Sequence, residues 1–259
     1  MDYLVYFIGP FLLGALGARY LNQRFRVFFV GFLAFFLAWI VMQTVATLAS
    51  RTLHVSEGAF LYGLIVSVVA GLVEESTRYL VFRQFAPFRT MRNWNASTMY
   101  ALGHHGMETV IVGLTLLLTV LVVKYKPDAI SDPALLKQCR VLVTLGDGVK
   151  LYNAGERLFV GLLIHTCFSG VVMLAVARSQ VRYVFLAGLW HFAHNMVGFN
   201  LHRLPHASLA AKVWIAVILI GYTFLALRIY HALQKTAAPP PTSPATGQPS
   251  RMLPGRCPD

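Results

Sequence analysis

Long apolar runs separated by short polar or basic stretches dominate the chain. They predict membrane-crossing helices rather than strands, because a helix needs roughly 20 apolar residues to span the hydrocarbon of a bilayer. Windows of that kind fall near residues 3–21, 27–49, 59–82, 97–123, 156–177, 182–201 and 209–231. The expectation is an all-α, polytopic transmembrane helix bundle of about seven spans, within a range of six to eight. No segment between spans is long enough to bury a core of its own, so residues 1–235 are expected to form a single domain. The first span reads as retained, since Met1-Asp2 replaces the basic start of a signal peptide and its apolar run exceeds an h-region.

Composition agrees with this reading. The chain is 57% hydrophobic and only 12% charged, against roughly 25% charged in soluble domains. Lys and Arg outnumber Asp and Glu, 22 to 10, for a net charge of +12. The basic residues gather at span ends, which suits anionic lipid headgroups. With no compact basic module to carry them, nucleic acid is not an expected partner. Loop Lys and Arg favour one face twelve to nine, and six of the nine lie in the single loop 124–157. That bias places the N-terminus outside and the C-terminus in the cytoplasm. Residues 236–259, rich in Pro, Ser and Thr, read as a disordered cytoplasmic tail. Cys139, Cys167 and Cys257 have no paired spacing, so neither a disulfide framework nor a cysteine metal site is suggested. Cys257 is third from the end, which rules out a prenylation box.

Against this apolar background the polar residues inside spans stand out. A charged side chain at mid-bilayer costs roughly 2.5–3.5 kcal/mol on insertion scales. Span three nevertheless carries Glu74, Glu75 and Arg78, and helical spacing puts Arg78 beside both carboxylates. One ion pair would serve packing; the second glutamate is surplus to it and points to chemistry. Span four carries His104, His105 and Glu108, with His104 and Glu108 at the i, i+4 spacing that lets two side chains share an ion or a water. Gly103 and Gly106 allow close helix approach, and His105 points about 100° away from His104, which suggests a duller role for one of the two. Span five opens with Glu156-Arg157, readable as an interfacial ion pair, and holds His165 deep inside. Span six carries His191, His194 and Asn195, with His191 and Asn195 one turn apart.

Depth offers a check on whether these groups can meet. At about 1.5 Å per residue, Glu75 and His104 lie roughly 10 Å from the cytoplasmic face, His191 roughly 13 Å and His165 roughly 18 Å. Four helices of alternating direction thus bring carboxylates and imidazoles to similar levels. Carboxylates, imidazoles and an amide around one cavity are what hydrolysis requires: a group to activate water and donors for the oxyanion that forms.

Four motifs in order, Glu74-Glu75-Ser76-Thr77-Arg78, Gly103-His104-His105-Gly106-Met107-Glu108, His165, and His191-Phe192-Ala193-His194-Asn195, resemble the YhfC family of intramembrane metalloproteases. That family is related to the CPBP group with its type II CAAX prenyl endopeptidases, to PrsW-type proteases and to the Aph-1 scaffold subunit of γ-secretase. The resemblance covers about residues 60–200, which would be the catalytic core, and Glu156-Arg157 also looks family-like. It implies an intramembrane endopeptidase of the bacterial cytoplasmic membrane, acting on a membrane protein or peptide. Glu74, Glu75 and His104 would activate water. His165, His191 and Asn195 would bind a metal or the oxyanion. Arg78, Glu108, Glu156 and Arg157 would support them, and a metal would draw on His104, Glu108, His165 and His191. One divalent metal, zinc before others, is implied; a glutamate-type mechanism would need none. His105 departs from the family, which often has glycine there.

Two other classes compete with the protease. A non-catalytic scaffold like Aph-1 shares the fold, although retention of both glutamates argues against it. A proton- or cation-coupled transporter would also bury Glu and His, but no inverted repeat or broken-helix pair supports one.

Overall fold

The computed structural model describes residues 3–55, 60–130, 133–144, 147–200 and 207–237. Its elements run α1 (Leu4–Tyr20), α2 (Phe25–Thr52), α3 (Phe60–Gln84), the short α4 (Ala86–Thr90), α5 (Trp94–Tyr125), a 3-10 turn (Pro127–Ala129), α6 (Pro133–Thr144), α7 (Asp147–Ala177), α8 (Arg182–Asn200) and α9 (Ala207–Ala237). No strand occurs among the described residues. Every expected span is a helix. Five of them, α2, α3, α5, α7 from Asn153 and α9, are long and apolar enough to cross a membrane. Helix α1 is 17 residues long, short for a full crossing. Helix α8 has the length, but His191, His194, Asn195 and Asn200 hold its hydropathy below that of the five.

The boundaries differ where polar residues are good helix formers. The stretch 124–157, expected as a loop, contains α6 and the first turns of α7, which starts at Asp147 rather than near 156. Lys, Leu, Glu and Arg carry a helix past the apolar limit at little cost. Helix α9 likewise runs to Ala237. Helix α5 starts at Trp94 because the Asn93 side chain accepts the Ala96 backbone N–H over 2.9 Å, an N-cap. The expected tail lies outside the described residues beyond Ala237.

Two glycine contacts set the distances between the helices that matter most. Helix α5 packs on α2 through Gly31 and Gly103: a Cβ at Gly31 would overlap the Tyr100 carbonyl oxygen, and one at Gly103 the Phe28 carbonyl oxygen. Helix α3 meets α8 at Gly71, where a Cβ would lie 2.6 Å from the Gly188 carbonyl oxygen. Backbone meets backbone at both seams, as small residues permit in membrane bundles. Helix α7 is the most enclosed span and touches α1, α3, α5, α8 and α9. Cys167, Phe168, Val172 and Met173 on it are fully buried, and Ile218, Tyr222, Ile229 and Leu233 of α9 close over one side.

Candidate active site

Four helices deliver the polar residues to one place. Glu74, Glu75 and Arg78 come from α3, His104 and His105 from α5, His165 from α7 and His191 from α8, and all seven are buried. Arg78 is fully enclosed. It donates from Nη1 to Glu75 Oε1 and from Nη2 to Glu74 Oε2 over 3.2 Å. The same Nη2 lies 2.7 Å from His104 Nε2 and 2.7 Å from His165 Nδ1. A guanidinium can only donate, so His165 Nδ1 presents its lone pair to it, while His104 Nε2 also lies 2.8 Å from Glu74 Oε2.

That fixes tautomers. With Nδ1 of His165 accepting, its proton sits on Nε2, which donates to Glu108 Oε2 over 2.8 Å. His191 repeats the pattern with the nitrogens exchanged. Its Nδ1–H donates to Glu75 Oε1 over 2.7 Å, leaving the Nε2 lone pair 3.8 Å from Glu74 Oε1. Each imidazole is thus held from behind by a carboxylate while its lone pair faces the centre, the arrangement found around metal-ligating histidines. His104 lacks such a backing partner: its Nδ1 is buried with no hydrogen-bond partner among the described residues. Phe35 and Tyr100 flank its ring at centroid distances of 4.7 and 5.8 Å.

Other expected site residues line the approach. A cavity of about 520 Å³ is bordered by Glu74, His105, Glu108, Glu156, Arg157, His165, His191 and Asn195. A second, of about 340 Å³, is lined by Phe35, Trp39, Tyr62, Val66 and Phe199 and reaches Glu74, Glu108, Arg157 and Asn195 from the side of α2. Arg157 pairs with Glu108 rather than with its neighbour in sequence, Nη2 to Oε1 at 2.5 Å.

Sequence reasoning undervalued His105. Its ring spans the α5–α7 seam, Nε2–H donating to the Arg157 carbonyl over 2.8 Å and Nδ1 lying 3.1 Å from Glu108 Oε2. Phe168 went unmarked altogether. It stacks on His191 at 4.6 Å and 16°, with the Arg78 guanidinium carbon 5.9 Å from its centroid. Its place three residues after His165, on the same helical face, was the available signal.

The order of motifs extends to the scale of the whole chain: the YhfC intramembrane metalloprotease family model matches residues 9–220. The chain belongs to this family. No curated protein and no solved structure matches it. The chain is thus a multi-pass membrane protein of the YhfC family, and the family description implies a metal. The residues fit one. Glu74, His104 and His165 offer ligand atoms that all lie within 4.8 Å of one another, and so do His105, Glu108 and His165. The two groups share His165, whose lone pair faces Glu74 and His104 and whose N–H faces Glu108. The first group therefore has the free donors. Its three ligand atoms converge on a point where positive charge is already favoured, the site of Arg78 Nη2. Of the other two residues expected as ligands, Glu108 belongs to the second group and His191 Nε2 lies 3.8 Å from Glu74 Oε1.

Proposed function

We propose that this YhfC protein is an endopeptidase that hydrolyses a peptide bond of a membrane or membrane-proximal substrate inside the bundle, near the cytoplasmic leaflet. The observation that carries the reading is the convergence of Glu74, His104 and His165 beside a cavity that shares Glu74 and His165. One carboxylate and two imidazoles with a position left open is a donor set for catalytic zinc. Zinc bound there would polarise the scissile carbonyl and acidify a coordinated water.

The chain's own residues do the rest. Glu74 Oε1 and His191 Nε2, 3.8 Å apart, can hold one water between them, and His191, which is outside the ligand set, takes its proton at Nε2 as the nucleophile attacks. His191 is kept in the accepting tautomer by Glu75 and its ring plane by Phe168. Asn195, which lines both cavities, donates its amide N–H to the oxyanion in this reading. The polar cavity admits water, and the apolar one beside α2 receives apolar side chains of the substrate.

Protein termini compared across the membrane proteome test this reading. Cells would carry the wild type or the Glu74→Gln/Glu75→Gln double variant at matched levels. New termini found only with the wild type are expected. Identical termini, with a folded and abundant variant, would overturn the protease in favour of a scaffold.

A further inference from the structure

The guanidinium of Arg78 occupies the point a metal ion needs. Its Nη2 stands 2.7 Å from His104 Nε2, 2.7 Å from His165 Nδ1 and 3.2 Å from Glu74 Oε2. A zinc ion coordinated by the same atoms would lie about 2.0–2.2 Å from each. The two cations cannot share this point, since both would contact the same three atoms.

A second observation shows where Nη2 can go. Glu75 Oε2 is buried without a hydrogen-bond partner among the described residues, although Arg78 Nη1 already donates to Oε1 of the same carboxylate. Moving Nη2 from the three-ligand centre to that oxygen turns a single-point contact into a two-bond fork, the preferred pairing of Arg with a carboxylate. It also satisfies an acceptor whose burial without a partner is costly.

We infer that Arg78 is an exchangeable internal cation: it competes with the divalent metal for Glu74, His104 and His165, and Glu75 is the acceptor that receives it when metal binds. This rests on the metal-dependent reading above. It makes Arg78 and Glu75 positioning residues for metal loading, neither of them a ligand. Glu75 has two tasks in this account, holding the His191 Nδ1–H and receiving Nη2. The competition has a direct consequence for affinity. Removing Arg78 takes away the rival and leaves two buried carboxylates with only a metal to compensate them. Removing the charge of Glu75 makes displacement of Arg78 harder.

The test is zinc affinity of the full-length protein in detergent, stripped with a chelator and titrated in competition with a chromophoric chelator. The set is wild type, Arg78→Gln, Arg78→Lys and Glu75→Gln, with cobalt absorption reporting the donor set. Arg78→Gln should bind zinc at least about tenfold tighter than wild type, and Glu75→Gln about 10–100-fold weaker, the range of outer-shell effects. Arg78→Lys, a single point charge that cannot fork, should fall between Arg78→Gln and wild type. A folded Arg78→Gln protein with unchanged or weaker affinity overturns the inference while leaving the metal site standing. If that variant does not fold, Arg78→Lys and Glu75→Gln decide: wild-type affinity in both overturns it. Absence of zinc binding in all four proteins defeats the metal reading and this inference together.

Discussion

His165 donates its Nε2–H to Glu108 Oε2 over 2.8 Å, across the seam between α7 and α5. The bond decides which nitrogen of His165 is free, and it joins a residue at the cavity edge to the buried centre. Glu108→Gln keeps an acceptor in place but removes the charge that makes the imidazole a stronger base. Zinc affinity should fall about 10–100-fold with little change in fold. A chelator-competition titration beside a thermal melt separates the two effects.

His105 and His165 should behave differently although their rings stack 5.2 Å apart. His165→Ala removes a ligand and should abolish stoichiometric metal. His105→Ala removes a second hydrogen bond from the Arg157 carbonyl, which the backbone of α7 still pairs, at a cost of about 0.5–1.5 kcal/mol, and should retain the metal. Elemental analysis of the two purified variants checks this.

At Gly103 any side chain meets the backbone of α2. Gly103→Ala should therefore part α2 from α5, shift the adjoining His104, and lower stability by about 1–3 kcal/mol. Gly221→Ala, with nothing within 4 Å of the added carbon, should stay within about 0.5 kcal/mol of wild type. Thermal unfolding in one detergent compares them.

Phe168 stacks on His191 with centroids 4.6 Å apart and meets His165 edge-on with centroids 6.4 Å apart. Phe168→Leu should keep zinc affinity near wild type while the wild-type-specific termini become fewer. Loss of metal in this variant would move Phe168 from water positioning to assembly of the ligand set.

The bundle and most of the site were legible in the sequence because charges in apolar windows have high contrast. Glu74, Glu75 and Arg78 could be paired by helical spacing alone, and the matched depth of His104, His165 and His191 anticipated their meeting. Phe168 had no such contrast, being one aromatic ring in an apolar helix. The role of His105 depends on a backbone carbonyl 52 residues away, which periodicity does not encode. The pairing of Arg157 with Glu108 was hidden for a similar reason: Glu156 is adjacent in the chain, but the packing of α5 against α7 supplies the partner.

The placing of Arg78 on the same helix as Glu74 and Glu75 bears on how the chain is made. Because α3 precedes α5, α7 and α8 in the chain, its carboxylates enter the lipid before the histidines of those helices are packed beside them. Its own arginine, one turn on, offsets one negative charge and hydrogen-bonds both glutamates from the outset. The later helices then fold around a polar group that has already crossed the threshold of insertion, and the burden of bringing charge into the membrane falls on a single segment.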